Sequence, residues 1–228
     1  MILFAGPLFE AGIAEGRLWS WIKGERIRET LGSWMGWRNL VAGPVTEELM
    51  FRSLIIPLHL LANMDRTRIV FITPLYFGIA HVHHFYEFVL SHPESPIAAA
   101  LLRSLVQFTY TSLFGFFAAF VFLRTGSLYA AIAAHSFCNW AGLPRFWGRL
   151  RVEATEPIAP PPSKKDNASE QAEATPRRKP RKQILSIGWS VAYYVLLFVG
   201  AGGFYYGLFP LTESSNALVD FGQTSKSK

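Results

Sequence analysis

The run QILSIGWSVAYYVLLFVGAGGFYYGLFPLT, from Gln183 to Thr212, carries no charged side chain, and Lys182 and Glu213 close its two ends. A helix needs roughly 20 mainly apolar residues to cross the hydrocarbon of a bilayer, so this run is long enough. Working outward, Ser104–Leu123 and Thr125–Pro144 are also free of charge and are bounded by Arg103, Arg124 and Arg145. Two more stretches are apolar with polar exceptions. Ile69–Tyr86 holds His81, His83 and His84, and Asn39–Ala62 holds Glu47, Glu48 and Arg52. Together these stretches predict an all-α fold, a polytopic transmembrane helix bundle whose polar residues meet in a membrane cavity.

Composition points the same way. Half of the 228 residues are hydrophobic and only 17% are charged, which is too apolar for a soluble domain of this size. The net charge of +6 does not indicate nucleic acid, because the basic residues cluster at helix ends and in one loop, as membrane topology requires. Cys138 is the single cysteine, so no internal disulfide forms. Met1–Gly16 is apolar without a basic leader or a small-residue cleavage site, and reads as the end of a membrane helix rather than a signal peptide. Arg17–Arg38 interleaves Trp and Arg and suits the headgroup region.

Three regions are expected: a core over residues 1–150, a disordered Pro- and charge-rich loop over 151–183, and a C-terminal membrane helix and tail over 184–228. The loop holds Pro160-Pro161-Pro162 and ends in Arg177-Arg178-Lys179-Pro180-Arg181-Lys182, a composition that cannot bury enough apolar surface to order itself. Its basic end marks the cytoplasmic side. The sequon Asn167-Ala168-Ser169 is therefore expected to stay unglycosylated.

Ionisable groups inside membrane spans are costly, so each needs a partner or a task. In Thr46-Glu47-Glu48-Leu49-Met50-Phe51-Arg52 the acid Glu48 precedes Arg52 by four residues, the favourable order for a helical ion pair. Glu47 lies about 100° away around the helix and has no local partner. That leaves it free to react, or to be held by a polar group from another helix. In Phe77-Gly78-Ile79-Ala80-His81, the small residues permit close backbone approach, which would bring His81 against the Glu47 helix. His83 and His84 follow, with His83 placed to meet Glu87. In His135-Ser136-Phe137-Cys138-Asn139, the His and Asn share a helix face four residues apart. Alone they read as helix glue. Taken together, a carboxylate, an imidazole and a His/Asn donor pair supply what water-mediated amide hydrolysis needs: a base, a proton carrier and donors for an oxyanion.

These motifs resemble the type II CAAX prenyl endopeptidases, within the wider group of intramembrane glutamate proteases. The resemblance rests on Glu47-Glu48-x-x-x-Arg52, on Phe77-Gly78-x-x-His81 with Val82-His83-His84, on Phe108-Thr109-Tyr110, and on His135-Ser136-Phe137-Cys138-Asn139, from about Met1 to Pro144. It implies that Glu47 and His81 bind and activate water, that His135 and Asn139 line the oxyanion site, and that Glu48 and Arg52 support them. It implies an endopeptidase that removes the C-terminal tripeptide from farnesylated or geranylgeranylated CAAX proteins such as Ras-like small GTPases, in the endoplasmic reticulum membrane with the site open to the cytosol. Neither metal nor organic cofactor is expected. Family members begin with further membrane helices, so the chain reads as N-terminally shortened.

Three other readings compete. A zinc peptidase would take His81, His84 and His135 as ligands, but the chain has no His-Glu-x-x-His pair on one helix. A cysteine protease built on Cys138 and His135 is poorer, since a thiol in an apolar helix keeps its proton. A catalytically inactive membrane scaffold or prenyl-protein chaperone would keep the pocket without the reaction.

Overall fold

The computed structural model describes residues 1–154 and 181–221. Its helices, in chain order, are α1 (Ala5–Phe9), α2 (Leu18–Ile22), α3 (Glu25–Gly32), α4 (Trp34–Trp37), α5 (Gly43–Glu48), α6 (Ile55–Leu61), α7 (Arg66–Ala80), α8 (His83–Ser91), α9 (Ile97–Thr125), α10 (Leu128–Ala141) and α11 (Ile187–Leu211). Two short strands, β1 (Arg151–Ala154) and β2 (Arg181–Ile184), complete the set. The chain is an all-α membrane protein in architecture. Helices α9 and α11 are each long and apolar enough to cross a bilayer. By contrast, α7 has 15 residues and α10 has 14, short of the roughly 20 that a span needs. The apolar window around α7 runs on through a turn, where His81 and Val82 donate to the carbonyls of Gly78 and Ile79, into α8, and the window around α10 takes in Thr125 of α9 and the residues flanking α10 on both sides.

The described chain forms two compact units. One joins Met1–Lys23 to Pro144–Gly202. Within it a Cβ on Gly6 would come 3.0 Å from the Tyr193 carbonyl, so glycine there lets α1 lie close against α11. Tyr193 is buried; its hydroxyl accepts from the Arg145 N–H at 2.7 Å and donates to the Arg145 carbonyl at 3.2 Å. Arg145 in turn donates to Glu10 at 2.8 Å. Strands β1 and β2 pair antiparallel, with Arg151 opposite Ile184 and Ala154 opposite Arg181. The two ends of the segment expected to lack order therefore close on each other, because a backbone ladder satisfies N–H and C=O groups without needing an apolar face. Residues 155–180, with Asn167, lie outside the described part.

The other unit joins Gly24–Leu143 to the described residues from Gly203 onward. From Trp34 to Leu61 the backbone winds without a break through α4, a π turn at Arg38–Ala42, α5, a second π turn at Leu49–Leu54, and α6. A proline follows each π turn, Pro44 and Pro57. Proline has no N–H to give the ladder, which loosens the winding where it enters. Helix α7 starts at Asp65, whose carboxylate accepts from the N–H groups of Thr67 and Arg68 at 2.9 and 3.3 Å, a capping arrangement that satisfies two orphan donors.

Small residues set how closely α7 and α9 approach. A Cβ on Gly78 would stand 2.5 Å from Ser112 Oγ and 2.9 Å from the Phe108 ring, and one on Gly115 would stand 2.6 Å from Pro74. In lipid, where the medium is as apolar as leucine, such close packing is a main source of helix association. Below this contact Ile56, Ile69, Val70, Ala119, Phe122 and Leu123 form the buried cluster shared by α6, α7 and α9. Gly126, at φ +62°, ends α9, and Ser127 Oγ accepts from the Ala130 N–H to start α10. Arg124 donates to Thr212 and to the Phe209 carbonyl, so the last turn of α11 and the residue after it are tied to the end of α9.

Candidate active site

The site is built on α5 and on the π turn that follows it. Glu48 is fully buried and Arg52 nearly so. Their side chains meet with Arg52 Nε 3.1 Å from Glu48 Oε2, the pairing that their spacing predicts. Burying two charges is costly unless each is compensated, and here both have further company. The Arg52 guanidinium lies over the rings of Phe77 and Phe114, 4.9 and 5.6 Å from their centroids, which adds cation–π attraction. The second carboxylate oxygen of Glu48 accepts from His135 Nδ1 at 2.7 Å.

That last contact decides the state of His135. A carboxylate only accepts, so Nδ1 carries a proton and Nε2 becomes the nitrogen that faces the chemistry. His135 Nε2 stands 3.6 Å from Glu47 Oε2. The distance is beyond a good direct hydrogen bond, yet it sets an imidazole nitrogen and a carboxylate oxygen side by side. Glu47 itself is 35% exposed at its side chain while Glu48 is at 0%. The two adjacent acids thus occupy different environments, one locked in an ion pair and one reachable. His135 is buried, and Phe77 and Phe114 wall it in at ring-centroid distances of 6.0 and 4.7 Å.

Asn139 is one turn further along α10, and its Nδ2 donates to the Asn39 carbonyl at 2.9 Å. The acceptor has a covalent origin. In the π turn at Arg38–Ala42 the Gly43 N–H bonds to the Arg38 carbonyl, five residues back. The next donor in that register would serve Asn39, but it is Pro44, which has none. The carbonyl left over is the one that Asn139 takes up. One N–H of the Asn139 amide remains for another acceptor.

His81 caps the end of α7. Its Nδ1 donates to the Phe77 carbonyl at 2.7 Å, so in the neutral ring Nε2 is a lone-pair nitrogen able to take a proton. Its ring touches Phe77 at 4.6 Å and lies 6.0 Å from that of His84. Phe77 is therefore the common wall between His81, Arg52 and His135.

The structure brings Glu47, Glu48, Arg52 and His135 into one network, and connects His81 to it through Phe77. Gly78 does not work as its spacing suggested. It faces Ser112 and Phe108 of α9, and the contact between α7 and the Glu-bearing segment is made by Phe77, edge-on to Phe51 at 5.1 Å. Nor does His83 reach Glu87; His84 does, at 2.7 Å, because His83 Nδ1 donates to the Ala80 carbonyl instead. Sequence reasoning missed Phe77 and Phe114 as site walls, and the Asn39 carbonyl. For the last, Pro44 was the available signal.

Residues 29–141 match the family model of type II CAAX prenyl endopeptidase Rce1-like proteins, and every residue named in the network falls inside that interval. The chain belongs to this family. Among its Rce1-like relatives, the CAAX prenyl protease 2 of Homo sapiens is 37% identical over 171 residues, 69% of this chain and 49% of that protein. The probable CAAX prenyl protease 2 of Schizosaccharomyces pombe is 43% identical over 150 residues, 65% of this chain and 54% of the relative. That of Arabidopsis thaliana is 47% identical over 108 residues, 47% of this chain and 34% of the relative. The chain spans about half the length of the first and second of these proteins. No solved structure matches it.

Proposed function

We propose that this chain is an intramembrane endopeptidase that removes the C-terminal tripeptide from prenylated CAAX proteins by means of a water activated by Glu47. The observation that carries this reading is the contrast between neighbouring carboxylates: Glu48 is spent on Arg52 and His135, while Glu47 is partly exposed and stands 3.6 Å from His135 Nε2. Its relatives in Schizosaccharomyces pombe and Homo sapiens are CAAX prenyl proteases by name, and this supports the substrate class.

Glu47 takes a proton from water as the oxygen adds to the scissile carbonyl. The proton passes from Glu47 to the neighbouring Nε2 of His135, so that His135, its Nδ1 held by Glu48, and the remaining N–H of Asn139 donate to the developing oxyanion, where fixed donors are worth most. As the oxyanion collapses and the scissile C–N bond breaks, His81, whose Nδ1 proton is committed to Phe77, passes the proton taken from water on through Nε2 to the leaving amine nitrogen of the tripeptide. Substrates are farnesylated or geranylgeranylated proteins such as Ras-like small GTPases, cut at the endoplasmic reticulum membrane from the cytosolic side; the basic run that precedes α11 supports that orientation. No residue of this scheme requires a metal ion or organic cofactor.

The test is to incubate purified protein with a farnesylated CAAX peptide, with and without a strong chelator, and to look for the released tripeptide by mass spectrometry. Release that is indifferent to the chelator is expected. Binding of the prenylated peptide without any release would support a scaffold or chaperone instead, and chelator-sensitive release a zinc peptidase.

A further inference from the structure

Where α7 gives way to α8, His83, His84 and Glu87 each bring one ligand atom to within 4.8 Å of the other two. None of them belongs to the carboxylate network around His135. Glu87 lies three and four residues beyond the imidazoles, one turn along the helix, so all three sit on one side of α8. The rings of His83 and His84 are 4.0 Å apart between centroids.

Existing hydrogen bonds already prepare these groups. His83 Nδ1 donates to the Ala80 carbonyl at 2.7 Å, which leaves Nε2 with its lone pair. His84 Nδ1 stands 2.7 Å from Glu87 Oε2. Two atoms each bound at about 2.0–2.2 Å to one tetrahedral ion lie roughly 3.3 Å apart, so the pair needs to open by only about half an ångström. Binding releases the His84 Nδ1 proton that Glu87 accepts in the free protein, because an imidazole nitrogen ligates an ion only through a free lone pair.

We propose that His83, His84 and Glu87 form a binding site for a borderline-soft divalent cation of the zinc type. Two imidazole nitrogens and one carboxylate oxygen suit such an ion better than magnesium or calcium, which prefer oxygen throughout. Three protein ligands leave the fourth position to water. With the His84 ring 6.0 Å from that of His81, a bound ion places positive charge beside an imidazole of the candidate active site while leaving Glu47 out of its ligand set.

The intact protein, purified in detergent and stripped with chelator, is titrated with zinc chloride by calorimetry. One saturable site is expected, weakened at least tenfold in His83→Ala and in Glu87→Gln, unchanged in Glu47→Gln, and not displaced by excess magnesium. Both substituted side chains are exposed, and melting of the metal-free variants checks that they fold. Absence of saturable zinc binding overturns the proposal. So does binding that survives the His83→Ala/Glu87→Gln double variant, or that vanishes with Glu47→Gln.

Discussion

His135 hydrogen-bonds Glu48 at 2.7 Å and leaves Glu47 at 3.6 Å. One imidazole thus separates the tasks of two adjacent acids: its Nδ1 is anchored to the buried carboxylate, and its Nε2 is turned to the accessible one.

Glu47→Gln is expected to abolish tripeptide release while the protein keeps its melting temperature to within a few degrees. The amide preserves shape but cannot take a proton from water, and the partly exposed side chain gives up only the loose 3.6 Å contact with His135. Parallel melting and turnover measurements decide it; wild-type turnover would remove Glu47 from the mechanism.

Glu48→Gln is expected to act first on stability. It leaves Arg52, almost fully buried, without a counter-charge, and breaking such a pair from one side costs about 3–5 kcal/mol. It also loosens His135. A variant that melts like the wild type but has no activity would mean that the roles of the two acids are reversed.

Asn139→Ala is expected to lower turnover by roughly 10²- to 10³-fold with little change in substrate affinity, as for other lost oxyanion donors. His135→Ala should impair the same step. Because both donate to one oxyanion, the double variant should lose less than the product of the single losses. Multiplicative losses, or a change confined to affinity, would assign Asn139 to packing or to prenyl-group binding.

Pro44→Ala introduces an N–H five residues after Asn39, in register to claim the carbonyl that Asn139 uses. Turnover is expected to fall toward that of Asn139→Ala, and the two changes combined should lose little more than either alone. Additive effects in that cycle would show that Pro44 and Asn139 act independently.

Gly78→Ala would set a methyl group 2.5 Å from Ser112 Oγ and 2.9 Å from Phe108. Overpacking of this kind costs about 1–3 kcal/mol. A lower melting temperature is expected, with part of the loss recovered when Ser112 is also replaced by Gly. Unchanged melting would mean that α7 and α9 can separate at no cost.

Much of the site could be read from spacing. Glu48 and Arg52 pair as residues four apart should, and His135 and Asn139 share a face of α10. What spacing cannot show is the third dimension between helices. The neighbour of Glu47 is on α10, 88 residues away in the chain from position 47 to position 135, and the glycine that was expected to admit the Glu-bearing helix admits α9 instead. Uniform 3.6-residue winding also fails between Trp34 and Leu61, where two π turns shift the register around α5. Hydrophobic windows at α7 and α10 counted residues that belong to turns and to the neighbouring helices α8 and α9, a distinction that depends on hydrogen-bond pattern rather than on hydropathy.

The bond from Asn139 to residue 39 ends on a main-chain oxygen, and that has a consequence for how the protein can vary. Any amino acid at position 39 offers the same acceptor, so Asn39 can be exchanged freely without touching the contact. At position 44 only the one residue type lacking an amide proton keeps that oxygen available. Variation among homologues would accordingly register the constraint five residues away from the atom it protects. A partner of the active-site amide would pass unnoticed in any inventory based on side chains.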